Sequence, residues 1–315
     1  MGFFRKLFGL GPKVPDWASF FSLEEYERFN QLVKEYFMAA QVSVVFNDGV
    51  VVVSPTKRQY GLQNLAQVCY QAEPETWTEV ISHHFQTIHQ AEAEGRAIEE
   101  KLADFAAVAP FLAVRLYPDS YLHQIGPDKA VASIDLEGTA TMLVLDLENA
   151  IRTVGADDTR PWGKSSYELI RLGLNYVRET SNVEVSDFQL TDELSVKIIS
   201  GDSFFASTMV LLLEEFPECL GLYGTLVGVP HRHAAILYPI QNLDVIKAVN
   251  VLIPLVRGLY NEGPGSISPN LYWYRHQKFI NLPYRETRKT LQFSPPAEFT
   301  DMVNRMAASE PLPGN

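Results

Sequence analysis

The chain alternates paired strands with single helices, and this alternation restricts its fold more than any other feature. Residues 42–46 and 50–53 are valine-rich runs separated by Asn47-Asp48-Gly49, three residues that tolerate positive φ, which predicts a hairpin. Residues 22–40 predict an amphipathic helix. Leu23, Tyr26, Phe29, Leu32, Val33, Tyr36 and Phe37 recur at three and four, and Ser22 with Glu25 has capping-box spacing. Helices over 61–71, 74–94 and 96–107 follow. Beyond Pro110 the pattern predicts strands over 111–116, 131–136 and 141–147, then a helix over 161–178 opened by Ser165 and Glu168. Strands at 183–189 and 194–199 lead to a helix over 204–216, apolar nearly all round, with Asp202 or Ser203 as its cap. Strands at 224–229 and 234–239, a helix over 243–260 kinked at Pro254, strands at 271–275 and 278–282, and a short helix at 297–307 complete the chain. The expected class is α+β, with antiparallel or mixed sheets built from β-hairpins alternating with single helices, not a doubly wound parallel sheet.

A chain of 315 residues accommodates one large domain or two modest ones. Changes in pattern divide it into a basic amphipathic segment at 1–15, a helix-hairpin-helices domain at 16–108, an α+β domain at 109–292 and a Pro-rich tail at 293–315. The net charge of −12 repels phosphate backbones and argues against a primary role on nucleic acid. Two cysteines, Cys69 and Cys219, build neither a disulfide framework nor a four-cysteine zinc site, which fits a reducing compartment. The most apolar run, 209–213, meets Glu214 and Glu215 at once, so no membrane span is expected. The expected location is cytoplasmic, with peripheral contact at the inner membrane surface through residues 1–13.

That contact is expected from MGFFRKLFGLGPK. Phe3, Phe4, Leu7 and Phe8 fall on one helical face, and Arg5, Lys6 and Lys13 carry positive charge with no acid nearby. Arg5 and Lys6 interrupt the apolar core a secretory signal needs, and Lys6 stands where N-myristoylation needs Ser or Thr. The alternatives are that the segment docks on a partner, docks on the protein's own core, or is frayed.

Several groups of residues invite chemical readings. Gly163-Lys164-Ser165 ends like a phosphate-binding loop, but Asp158 occupies the position of the required glycine, so a helix cap is the simpler reading. Gly201-Asp202-Ser203 lies between a strand and a helix, where a hydrolase serine could sit, but no Asp-x-x-His partner follows near the end. His231-Arg232-His233 opens a strand after Pro230. Residues two apart share a strand face, so both imidazoles could reach one metal, although no third ligand is identified. Arg232 beside them attracts a carboxylate or phosphate. His84 and His89 on the helix over 74–94 diverge. Tyr272, Trp273, Tyr274, Arg275, Lys278, Tyr284, Arg285, Arg288 and Lys289 interleave aromatic and basic residues. In an acidic protein this predicts a hairpin packing its aromatics inward, or a surface for an acidic partner, in preference to a nucleic-acid surface.

Residues 60–285 resemble the YtpQ-like bacterial family, whose function is uncharacterised. The resemblance rests on GLQNLAQVCY at 61–70, FLAVRLYP at 111–118, WGKSSYELIRLGLNYV at 162–177 with its Asn175, and GDSFFAST at 201–208. It is most detailed at GTLVGVPHRHAAIL, 224–237, followed by a long helix and an aromatic-rich hairpin. It implies a bacterial cytosolic protein and assigns no catalytic residue.

Two functions are expected from these features. The first is a non-enzymatic binding or adaptor module with an unidentified ligand or protein partner, no cofactor and no nucleic acid. Its candidate ligand-binding residues are His231, Arg232, His233, Asp202 and Ser203. The second is a hydrolase or metal-dependent enzyme using Ser203 or the His231/His233 pair.

Overall fold

Ser22 opens the first helix as its spacing predicts. In the computed structural model, which describes residues 13–54, 56–286 and 291–309, its Oγ accepts from the Glu25 N–H at 3.2 Å, and the Glu25 carboxylate accepts from the Ser22 N–H at 2.7 Å. These bonds satisfy orphan donors at the start of α1 (Leu23–Ala39) and hold the Glu25 carboxyl below its usual range. The stripe of α1 buries Phe29, Val33 and Phe37 against Val51, Leu65, Trp77 and Phe85. The predicted hairpin is present as β1 (Val44–Asn47) and β2 (Val50–Val53), with Asp48 and Gly49 at φ 25° and 78°. A further strand, β3 (Arg58–Gly61), pairs with β2. Its mostly polar sequence carries no period-two signal. Helices α2 (Gln63–Gln71) and α3 (Trp77–Glu99) follow.

Contacts divide the chain into two units, residues 1–93 and 94–315. The division lies ahead of the boundary near 109 expected from the sequence, because Ile98, Leu102 and Val108 already bury in the second unit's core with Leu112, Val114 and Trp162. The helix expected over 96–107 is also redistributed. Helix α3 runs on to Glu99, and only a single turn, α4 (Phe105–Val108), forms beyond it, with the Asp104 carboxylate accepting from the Ala106 N–H at 3.0 Å.

In the second unit β4 (Leu112–Pro118), α5 (Asp119–Ile125), β5 (Ala132–Ser133), β6 (Thr139–Asp146) and β7 (Ile151–Thr153) form a sheet of order β4-β6-β5, with β7 also paired to β6. The strand expected over 131–136 shrinks to two residues. Asp135 draws the chain into a turn by accepting from Ser133 Oγ at 2.8 Å and Thr141 Oγ1 at 2.6 Å. Helix α6 (Ser166–Thr180) starts at the predicted Ser165/Glu168 capping box.

A six-stranded sheet follows, ordered β13-β12-β10-β11-β9-β8. Its strands are β8 (Glu184–Thr191), β9 (Leu194–Ser200), β10 (Thr225–His231), β11 (Ala234–Pro239), β12 (Leu271–Arg275) and β13 (Lys278–Asn281). Its central strands bury both faces by period-two alternation. Leu226, Ile236 and Trp273 meet α7 (Val245–Glu262), while Val227, Leu237 and Tyr274 face the core shared with β4 and β6. Tyr272, Trp273 and Tyr274 are buried, as the inward-packed hairpin requires. Among the described strands every pairing is antiparallel, and the class is α+β. The small hairpin β14 (Tyr284–Glu286) and β15 (Leu291–Phe293) precedes α8 (Ala297–Ser309). The expected tail is therefore partly core, because Phe299, Met302 and Met306 are buried with Trp273.

The apolar segment over 204–216 is not an α-helix. It is a 3-10 run, Ala206–Glu215, broken at Leu212, and its N-cap is Phe205 instead of Asp202 or Ser203. Surrounded by core on several sides, it has no single apolar stripe to impose a 3.6 period, and its docking governs its shape. Thr208 Oγ1 accepts from the Leu116 N–H on the open edge of β4 at 3.3 Å. Among the described residues no helix is long and apolar enough to cross a membrane. Phe3, Phe4, Arg5, Lys6, Leu7 and Phe8, the expected docking residues, lie outside the described residues.

Candidate functional site

Arg232 and His233 are the two tip residues of the β10–β11 hairpin, with His231 paired to Ala234. This corrects the expectation that the His-Arg-His run opens a strand and shares one strand face. Neither tip residue takes the positive φ favoured in two-residue hairpin turns. A bulge between Gly228 and His231 and hydrogen bonds from outside the hairpin hold the tip instead. On one side the Arg232 N–H donates to Gly265 O at 3.2 Å and the Ile267 N–H to Pro230 O at 2.9 Å. On the other, the Ser207 N–H donates to Arg232 O and the Gly201 N–H to His233 O, each at 3.2 Å. The backbone of this tip is thus fully engaged and its side chains rest on a fixed platform.

Two glycines make room for them. A Cβ on Gly263 would lie 2.4 Å from His231 Cδ2, and one on Gly265 would lie 2.8 Å from Arg232 Cδ. Gly265 also sits at φ +72°. No larger residue fits at either position without displacing the site.

The two imidazoles lie 6.3 Å apart between ring centroids. Hydrogen bonds fix their tautomers. The His233 N–H donates to His231 Nδ1 at 3.3 Å, leaving the His231 proton on Nε2, and Arg232 Nε–H donates to His233 Nε2 at 2.9 Å. Burial first, then His233 and Arg232, push the His231 pKa down to about 4. Burial and Arg232 also lower that of His233, against opposing contributions from the Gly201 backbone and Asp202. Both rings are neutral at neutral pH. The lone pair of His233 Nε2 is occupied by a cation's N–H, which opposes metal ligation there. Among the described residues no three His, Cys, Asp or Glu side chains group as metal ligands.

Ser203 is a turn residue, and its Oγ accepts from the Phe205 N–H at 3.2 Å. No imidazole is hydrogen-bonded to that hydroxyl among the described bonds, so the serine–base pair a hydrolase needs is not formed. Asp202 is exposed and lines an open cleft of about 710 Å³ with Asn182, Glu184, Gly201, His231 and His233.

The fold adds three residues that the sequence reading missed. The Arg232 guanidinium carbon lies 4.4 Å from the ring centre of Phe204, and that of Arg115 lies 5.7 Å from the same ring. Arg115 also stacks on Tyr117 at 4.8 Å. Burial, then Arg115, lower the Arg232 pKa to about 10, so it stays charged at neutral pH. Neither arginine is ion-paired to a described carboxylate. Arg58, Arg152, Arg160 and Arg178, by contrast, each pair with a carboxylate. Asp146 is near enough to feel the charge of Arg115, but it accepts from Tyr176 Oη at 3.0 Å, and burial raises its pKa. Arg115 Nε and Ser207 Oγ are buried without partners. The sequence signal for Arg115 was available in FLAVRLYP, as one charge inside an otherwise apolar strand. Nothing in the sequence indicated which distant residue it would meet.

The chain matches no protein-family model, no curated protein and no solved structure.

Proposed function

We propose that the chain is a non-enzymatic binding module that captures an anionic group of a ligand or partner at the Arg232 hairpin, acting in a bacterial cytosol. The main support is the pair of guanidiniums, Arg115 and Arg232, gathered on one phenyl ring without a carboxylate partner among the described residues. A half-buried cation loses hydration, and a phenyl face returns only about 0.5–2 kcal/mol. An anion from outside supplies the missing counter-charge. The resemblance to YtpQ-like proteins is compatible with this reading and adds no residue to it.

The test is thermal unfolding of the full chain in rising sodium phosphate or sodium acetate, with sodium chloride holding ionic strength constant. Ligand that binds only the folded state raises the midpoint in a saturable way, by about 2.7 kcal/mol of stability at a hundredfold excess over Kd. Wild type should show this rise with at least one of the anions, and Arg232→Met should lose it. A rise that is equal in both proteins, or absent from wild type, rejects the reading. Membrane-surface contact through residues 1–13 is a separate part of the proposal. Removing those residues should abolish co-sedimentation with anionic liposomes, and unchanged sedimentation rejects it.

A further inference from the structure

The reading above leaves the class of anion open, and the geometry around Arg115 narrows it. Arg115 comes from β4 and Arg232 from the β10–β11 tip, elements in different sheets of the second unit. Both guanidiniums nevertheless lie over Phe204, whose side of the chain is fixed by the Ser203 turn and by the Ser207 N–H bond to Arg232 O. Phe204 is 43% exposed, so the ring carrying both cations reaches solvent.

The buried polar atoms left without a described partner here can donate. Arg115 Nε–H is buried and unpartnered, and so is the Ser207 hydroxyl. His231 carries its proton on Nε2 because Nδ1 accepts from the His233 backbone. Asp146, which feels the charge of Arg115, is engaged by Tyr176, and the exposed Asp202, which acts on His233, forms no ion pair with a described cation. Two cations placed together repel one another, and a single carboxylate brings one negative charge against two positive ones. A phosphate monoester brings nearly two charges and three terminal oxygens, enough to meet two planar guanidinium forks at once.

We infer that the group taken up at this site is a phosphate-monoester-type dianion, held jointly by Arg232 and Arg115 beside the exposed ring of Phe204. This rests on the anion-binding reading, and the experiment separates the two. Affinities of the full chain for inorganic phosphate and for acetate are measured at pH 7.5 and constant ionic strength, from the dependence of the unfolding midpoint on anion concentration. Wild type should bind phosphate at least tenfold more tightly than acetate. Arg115→Met should weaken phosphate at least tenfold and change acetate by less than twofold. Arg115→Lys keeps the charge and the stem but lacks the planar fork. It should also weaken phosphate severalfold, and it decides the question if Arg115→Met fails to fold.

Phosphate binding that Arg232→Met or Arg232→Lys weakens and neither Arg115 variant alters overturns the dianion inference and leaves the anion reading intact. Equal affinity for phosphate and acetate has the same consequence. Failure of wild type to bind either anion overturns both. Once inorganic phosphate is bound, competition by a small phosphate monoester against a phosphoserine peptide identifies which source of the group the site prefers.

Discussion

The neutral His231 imidazole gives this hairpin a calculable acid sensitivity. Its pKa in the folded chain is pushed down to about 4, first by burial and then by His233 and Arg232, against 6.5 for a free side chain. Between those values the unfolded chain binds more protons than the folded one, so stability rises with pH. The contribution is fully present above pH 6.5, falls as pH drops through the interval, and changes no further below the folded value. That interval corresponds to about 3 kcal/mol at about 1.4 kcal/mol per pH unit, with about 1 kcal/mol already lost at pH 5.5 and about 2–3 at pH 4.5. The perturbation is His231→Gln, which removes the titrating group and keeps a polar side chain. The assay is urea unfolding of both proteins at pH 7.5, 5.5 and 4.5, followed by far-UV circular dichroism. Carboxylates common to both proteins cancel in the difference. Wild type should lose about 2–3 kcal/mol more than the variant between pH 7.5 and 4.5. A wild-type minus variant difference that stays constant within about half a kcal/mol, or one of opposite sign, would refute the claim that this ring is buried and neutral.

Other expectations concern the frame around the site. A Cβ on Gly173 of α6 would lie 2.7 Å from Ala113 C and 2.9 Å from Ala113 O. Gly173→Ala should therefore lower stability by about 1–3 kcal/mol despite alanine's better helix propensity, while Gly258→Ala in α7, with open space around it, should raise stability by about 1 kcal/mol; chemical denaturation of both variants checks the pair. Trp162 Nε1–H donates to the Leu102 carbonyl at 2.8 Å in a buried position. Trp162→Phe should orphan that carbonyl and cost about 1–3 kcal/mol in the same assay, and a cost near zero would argue that the carbonyl finds another partner. Burial pushes the Cys69 and Cys219 thiols up to about 12 and about 11. Native protein at pH 8 should react with a thiol reagent only at the rate of unfolding, and prompt labelling of either cysteine would contradict its burial.

How much was legible beforehand varied with the kind of signal. The capping boxes at Ser22 and Ser165, the Asn47-Asp48-Gly49 turn and the apolar stripe of α1 are local. Their physics lies within a few residues: the first helix and the hairpin lie at nearly their expected limits, and the Ser165 box marks the start of a helix that begins at Ser166 instead of 161. Strand β3 was missed because a mostly polar strand carries no period-two pattern, and the two-residue β5 was overextended because the bond between Thr141 and Asp135 ends it from outside the run. The uniformly apolar segment at 206–215 had no periodicity from which to read its conformation. At the site, the sequence marked His231, Arg232, His233, Asp202 and Ser203, but placed the histidines on a strand face when two of the three residues form a turn.

The sequence by itself therefore determined the α+β class, several of the hairpins and most helix starts, because caps, turns and hydrophobic periods act over a few residues. Only the tertiary structure decided that Arg115 meets Arg232 over Phe204, that Ser203 is occupied by a turn, and that Gly263 and Gly265 open space for the hairpin tip. Those juxtapositions join residues far apart in the chain. They arise from the packing of whole sheets, so no local pattern records them.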